Sequence, residues 1–410
     1  FEFTITDAAT TSCSRDEANE HIAALVERDP LLSVALLSWA NRLPAENPSA
    51  ITTIRDAVSR VGERQFYRLS ESLSPVRFNN ASLWDQGFFW MQSVTTSRLA
   101  ALLSRQLGLG VPEEAAAAGA LASVGNYLLA NYFPEHYGAL VSSSWESASL
   151  SPAWEEQLVG THHGRLAAWV LRHFNLPKNL QESIELHHQS DTAGRCVAGS
   201  AKLLAMMVQM AEQLAESLFP GDPPLATLAP LPDLAESVMD RSGMRPDRFL
   251  EQARNLVADT LTEMVYLFPQ SQSRSYYYRK RPLPEVLYYV AGRPLFDVVK
   301  VFVETRTCTL HSVNQVRSIP RDTTPLVVNL TRVREVAALV ESVSLLLASG
   351  VLSDRRVVVL LNQNPPDACE GLVPDTCQLV ASPSHPACWF KWLVGQRETC
   401  GRPQLQEAHA

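Results

Sequence analysis

The sequence predicts a multi-domain protein: an all-α domain over residues 16–268, then a small α/β domain with a mainly parallel sheet over residues 283–400. Two observations predict it. Apolar side chains recur at helical spacing from residue 16 to 268. Near Gln270 that pattern gives way to short β-branched runs flanking one long amphipathic segment. A length of 410 residues is ample for two separate cores.

Residues 1–15 read as an N-terminal extension. Ser14, with Glu17 three positions on, offers a cap for the first helix, whose stripe is Ile22, Leu25 and Val26. Leu99, Leu102 and Leu103 make a second stripe and Leu166, Val170 and Leu171 a third. Pro112-Glu113-Glu114 places proline and acids at a helix start. Five prolines between Phe219 and Asp233 predict a surface loop. Residues 269–282 read as a linker, with the basic-aromatic stretch 274–281 inside it. Beyond it, residues 298–303, 326–330, 357–361 and, more weakly, 378–381 read as strands. Val333, Val336, Ala337, Val340, Val343 and Leu347 line a helix that stops at Gly350, and residues 401–410 are a tail.

Composition excludes several classes. With 46% hydrophobic and 19% charged residues the chain has a globular composition, far from that of a disordered one. A net charge of −8 argues against a general nucleic-acid binder, because affinity for phosphate needs the opposite sign. No apolar run reaches the roughly 18 to 20 residues of a membrane span; the richest, 336–351, is broken by Glu341, Ser342 and Ser344. The start has no basic segment followed by an apolar core, so no secretory signal is expected there, and the missing initiating Met allows for a fragment. Cys13, Cys196, Cys308, Cys369, Cys377, Cys388 and Cys400 contain no C-x-x-C pair and predict free thiols in a reducing cytoplasm.

Four motif blocks then appear in order. Asp29-Pro30-Leu31-Leu32-Ser33 leads through Ala40-Asn41 to Ile51, Ile54-Arg55-Asp56-Ala57-Val58 and Val61-Gly62. Next comes Ala118-Gly119-Ala120-Leu121-Ala122-Ser123-Val124-Gly125. Gly160-Thr161-His162-His163 leads through Trp169 to Asn175-Leu176-Pro177, and the series ends in Ile184-Glu185-Leu186-His187-His188. Together they resemble the HDOD family, regulatory and metal-free relatives of the HD-domain phosphohydrolases, over most of residues 16–265. The resemblance implies an HD-like helical fold, protein partners in signalling, and neither cofactor nor catalysis.

Departures from the HD pattern carry the functional expectation. HD hydrolases hold divalent metal through ordered His and Asp ligands and use the bound water as nucleophile. Here the first His position, within residues 84–93, reads Gln92. The adjacent His-Asp pair reads Ala122-Ser123, and the late Asp corresponds to Glu212. His163, His187 and His188 remain. Alanine coordinates nothing and serine supplies no charge, so the site reads as vestigial, with no metal. The surviving histidines read as satisfied core or capping groups: His163 at a helix start, His187 and His188 at a helix end. Sequence neighbours on a helix diverge by about 100°, so His162 and His163 are not expected to share one ion, nor His187 and His188.

Other chemistry is absent or weak. There is no phosphate loop and no Gly-x-Ser-x-Gly elbow, and Gly108-Leu109-Gly110 lacks a third glycine. The C-terminal domain is similar to a response-regulator receiver. That likeness places Asn329 at the phospho-acceptor position, Asn362 and Ser382 at the later strand ends, and no acidic pair after the first strand, where only Glu304 is near. The expected function is therefore a non-catalytic, cytoplasmic signalling protein acting through protein contacts. One alternative is a metal-dependent phosphohydrolase using His163, His187, His188 and Glu212. The other is nucleic-acid binding through residues 274–281.

Overall fold

The structure, a computed structural model, describes residues 15–44, 50–73, 86–137, 152–188, 199–219, 233–267, 284–292, 294, 296–352, 355–362, 373–382 and 386–395. Ser14, all five prolines between Phe219 and Asp233, the linker 269–282 with its 274–281 stretch, the tail 401–410, and Cys13, Cys196, Cys369 and Cys400 lie outside them. Two compact units emerge. One comprises Phe1–Gly138, Val159–Ala215 and Pro232–Arg274; the other comprises Ala139–Leu158, Glu216–Leu231 and Ser275–Ala410.

Thirteen described helices precede the sheet: α1 (Arg15–Val26), α2 (Pro30–Arg42), α3 (Ile54–Val61), α4 (Glu63–Ser72), α5 (Gln86–Leu107), α6 (Pro112–Ala122), α7 (Val124–Tyr132), α8 (Pro152–Val159), α9 (His163–His173), α10 (Lys178–Leu186), α11 (Gly199–Leu218), α12 (Asp233–Ser242) and α13 (Pro246–Leu267). Their ends follow capping chemistry. Asp29 accepts from the amides of Leu31 and Leu32, both at 3.0 Å, and Pro30 fills the first position of α2. Thr53 accepts from Asp56 N at 3.1 Å and donates its hydroxyl to the Asp56 carboxylate at 2.7 Å, which caps α3. Asn41 clamps the chain between α2 and α3. Its amide nitrogen donates to Leu37 O and Ile51 O, and its oxygen accepts from Ile51 N, all at 2.9 Å.

Helix α5 packs on both α6 and α13. Against α6 the backbones nearly touch, because α6 presents Ala115, Ala118, Gly119 and Ala122, all buried. A Cβ at Gly119 would lie 2.9 Å from Thr96 O. On the α13 side, Arg98 donates to Thr260 Oγ1 at 2.9 Å and to Glu263 Oε2 at 2.7 Å. The predicted stripes of α1 and α5 are buried but for Leu25, which is half-buried. The third is corrected: α9 buries Gly164, Ala167, Ala168 and Leu171, leaving Leu166 and Val170 half-buried. Small residues face inward there because both α7 and α10 press against α9.

The second unit carries five parallel strands in the order β2-β1-β3-β4-β5: β1 (Glu285–Val290), β2 (Thr309–Val313), β3 (Leu326–Asn329), β4 (Val357–Leu361) and β5 (Cys377–Ala381). This is the doubly wound order of receiver and flavodoxin folds, with the switch in winding direction between β1 and β3. Strands β3 and β4 are buried throughout. On one face lie Leu287, Leu326, Val328, Val357, Val359 and Leu361, packed on Leu339, Val343 and Leu346 of α15 (Val336–Ala348). Elsewhere in the unit, Phe302 of α14 (Val298–Thr305) packs on Trp389 and Phe390 of α16 (Pro386–Leu393), with ring centroids 5.7 and 5.8 Å apart.

One predicted strand is overturned. Residues 298–303 form helix α14, because Asp297 caps it by accepting from Lys300 N at 3.1 Å and Val298, Val299, Val301, Phe302 and Val303 are all buried there. The first strand is instead Glu285–Val290, and the second, Thr309–Val313, is a largely exposed edge strand too polar to read as buried. Asn41→Ala should cost about 1–3 kcal/mol of unfolding free energy, since it strands Ile51 N–H and two carbonyls. Denaturant titration of the two proteins at matched slope measures this.

Candidate functional site

The site forms where α7, α9, α10 and α11 meet in the helical unit. Its geometry begins with a glycine. A Cβ at Gly125, in the first turn of α7, would fall 1.9 Å from the carbonyl oxygen of His163 and 2.6 Å from its carbonyl carbon. Only glycine permits this approach, so the Ser123-Val124-Gly125 turn lies directly on the start of α9. His162 caps α9 through Nδ1, which accepts from Arg165 N at 3.4 Å. That assigns the capping role to His162, whereas the sequence reading gave it to His163. The two rings stand 6.2 Å apart, and His163 turns inward.

Asn175 closes α9 in the left-handed region at φ 54°, with Leu176 N donating to Leu171 O at 2.9 Å. Asparagine tolerates that conformation, and Pro177 then caps α10. The α9–α10 hairpin brings His187 and His188 back to His163. Regular α10 ends at Leu186, so His187 is the C-cap residue and His188 lies beyond it. The expected divergence of His187 and His188 is thereby overturned: past a helix end the 100° rule lapses, and the two rings are 4.0 Å apart.

His163, His187, His188 and Glu212 offer ligand atoms that all lie within 4.8 Å of one another. His163 Nε2 and His188 Nε2 are 2.7 Å apart. Glu212 Oε2 is 3.3 Å from His188 Nε2 and 3.6 Å from His187 Nε2. His163, His187 and Glu212 are buried; the His188 side chain retains 19% exposure. His187 Nδ1 donates to Ile184 O at 2.6 Å, so its Nε2 carries the lone pair, and that atom has no hydrogen-bond partner. Burial first, then the neighbouring His163, pushes the His187 imidazole down to about 3, and burial holds His188 well below its ordinary value. Both rings are neutral at physiological pH.

The substituted positions adjoin this cluster. Ala122 and Ser123 are 0% and 1% exposed, three and two residues before Gly125, and Ser123 Oγ makes no hydrogen bond. Gln92 is buried on α5, one turn before Thr96, while Ala122 follows Gly119 by one turn on the antiparallel α6. The Thr96–Gly119 contact therefore sets Gln92 and Ala122 at the same level of that helix pair. Three imidazoles and one carboxylate can hold one divalent transition ion. No further cluster of three or more potential ligands occurs among the described residues.

In the second unit, Asn329 ends β3, Asn362 follows β4 and Ser382 follows β5, at the same edge of three adjacent strands. Asp297 was missed by the sequence reading. Since the first strand is Glu285–Val290, the acid after it near Asn329 is Asp297, and Glu304 lies at the far end of α14. Tyr288 donates its hydroxyl to Asp297 Oδ2 at 2.7 Å. Asn329 Nδ2 donates to Tyr288 Oη at 2.9 Å and to Asp297 Oδ1 at 3.3 Å, while its oxygen accepts from Thr331 N and Oγ1. Burial, partly offset by these bonds, raises the Asp297 carboxyl above its ordinary value. An aspartate directly before an apolar helical run was the available signal.

Residues 6–190 match the HDOD domain family. No curated protein matches the chain. Among solved structures, the MmoQ response regulator of Methylococcus capsulatus str. Bath is 22% identical over 62% of this chain and 94% of its own, at a TM-score of 0.47. An HDOD domain protein of unknown function from Geobacter sulfurreducens is 17% identical over 66% and 90%, at 0.34. A provisionally assigned phosphohydrolase from Shewanella amazonensis SB2B is 17% identical over 64% and 90%, at 0.34.

Gly125→Ala should destabilise the helical unit by about 1–3 kcal/mol or more, because the added methyl meets backbone; the shift of its thermal transition reports this. Asn329→Asp adds a second buried carboxylate beside Asp297 and raises the folded-state pKa of the pair. The loss of stability is therefore expected to be larger at pH 8 than at pH 5, shrinking as pH falls and one carboxyl takes a proton. Equal losses at both pH values in urea titrations would contradict it.

Proposed function

Because residues 6–190 carry an HDOD domain, we propose that the protein is a non-catalytic signal-transduction component, cytoplasmic and acting through protein contacts. The observation that carries this reading is the buried Ala122-Ser123 pair, which leads into the Gly125 turn that rests on the His163 backbone. A hydrolytic HD centre needs a carboxylate at that junction to bind metal and help deprotonate water. A methyl and an unpaired hydroxyl perform neither task. The one ligand cluster among the described residues could hold one ion, and its carboxylate, Glu212, would then serve as a ligand rather than as a base.

Protein contact is further supported by the surface. Tyr132 of α7 and Trp169 of α9, 69% and 59% exposed, are the most exposed large apolar side chains among the described residues, and they stand on two helices that frame the site. No described helix is long and apolar enough to cross a membrane. The convergence of His163, His187, His188 and Glu212 favours a second reading, a metal-dependent phosphohydrolase. Turnover separates the two. The full chain, supplied with manganese, magnesium, zinc or ferrous iron, should release phosphate or nucleotide from mono- and diester substrates no faster than the metal in buffer. Metal-dependent turnover abolished by His163→Ala would establish the second reading instead.

A further inference from the structure

We propose that His163, His187, His188 and Glu212 bind one zinc ion as a closed, four-ligand site that staples α9, the end of α10 and α11 together. The family resemblance implies a metal-free domain, and this inference departs from it. Its grounds are geometric.

Four protein ligands around zinc, at bond lengths near 2.0–2.2 Å, sit about 3.3 Å from one another at the corners of a tetrahedron. Here three of the edges are 2.7, 3.3 and 3.6 Å, and all the ligand atoms lie within 4.8 Å of one another. Small rotations of the side chains regularise the set.

The second ground is the aim of His187. Donation from Nδ1 to Ile184 O at 2.6 Å fixes the tautomer and directs the Nε2 lone pair into the cluster, the arrangement in which a backbone carbonyl orients a metal-bound imidazole. That buried nitrogen has no hydrogen-bond partner and lies 3.6 Å from Glu212 Oε2. A cation between them would be bound by both. Three imidazole nitrogens and one carboxylate oxygen suit zinc, whereas magnesium and calcium take oxygen-rich sets.

All four positions are filled by protein, which leaves no site for a reactive water and makes the ion structural. His163 begins α9, His187 and His188 follow α10, and Glu212 lies within α11, so the ion cross-links three elements.

The test uses the full chain. Protein purified without chelator is analysed for metal, then stripped and titrated with zinc chloride by calorimetry and with cobalt(II) by visible absorption. The expected result is one zinc per chain, an intense tetrahedral cobalt(II) spectrum displaced by zinc, and a higher Tm for the loaded form than for the stripped one. His187→Ala should weaken binding by about 100-fold or more. His188→Ala, at the partly exposed edge, provides the same readout should the first variant not fold. Wild-type protein that holds well under one equivalent, gives no tetrahedral cobalt spectrum and gains no Tm from zinc overturns the proposal. So does zinc affinity unchanged in His188→Ala and Glu212→Gln. Zinc bound with phosphoester turnover that is lost in His188→Ala would overturn both the closed site and the non-catalytic reading; zinc bound without turnover sustains both, and no zinc bound with no turnover overturns this site alone.

Discussion

The helical unit is organised around one steric allowance: the missing side chain of Gly125, which lets the first turn of α7 rest on the carbonyl of His163. A second such contact, Gly119 against Thr96, draws α6 onto α5. Helices held at backbone distance admit only small inward side chains, which is why alanines dominate α6 and the buried face of α9. The imidazole cluster is then a consequence of where these helices start and stop. His163 begins α9, and His187 and His188 leave α10 just where regular winding ends.

Burial gives that cluster its chemistry. An imidazole removed from water resists protonation, and the like charge that a neighbouring imidazole would place beside it adds to the resistance, so burial and crowding disfavour charge on His187 and His188. Neutral nitrogens gathered around a carboxylate are the electronic inverse of an ion pair: they attract a cation from outside rather than supply one. The Ala122-Ser123 junction, by contrast, is buried and carries no charge.

The α/β unit shows a parallel economy of charge. At the edge where β1 and β3 part, Asn329 supplies an amide that donates to Asp297 and Tyr288 and accepts from Thr331, so every polar atom of its side chain is used. One buried carboxylate survives because donors surround it. A second would face it at about hydrogen-bond distance with none left to share.

Much of this was legible in the residues. Period-3.6 stripes gave the helices, the change in pattern near Gln270 gave a second domain, and the motif blocks around Asp29, Asn41, Gly119 and Asn175 gave the likeness to HDOD domains that residues 6–190 match. Each block has a local physical cause, a cap, a clamp, a close approach or a left-handed turn, and local causes are written in adjacent residues. What only the tertiary structure decided was long-range. The run 298–303 is β-branched enough to pass for a strand, yet a cap at Asp297 and a face to bury made it a helix. His187 and His188 converge on Glu212, a partner on another helix, because α10 stops one residue before them. Where a helix ends within a turn, and which distant side chain meets it, depends on packing between elements, and periodicity along a single chain carries no record of that.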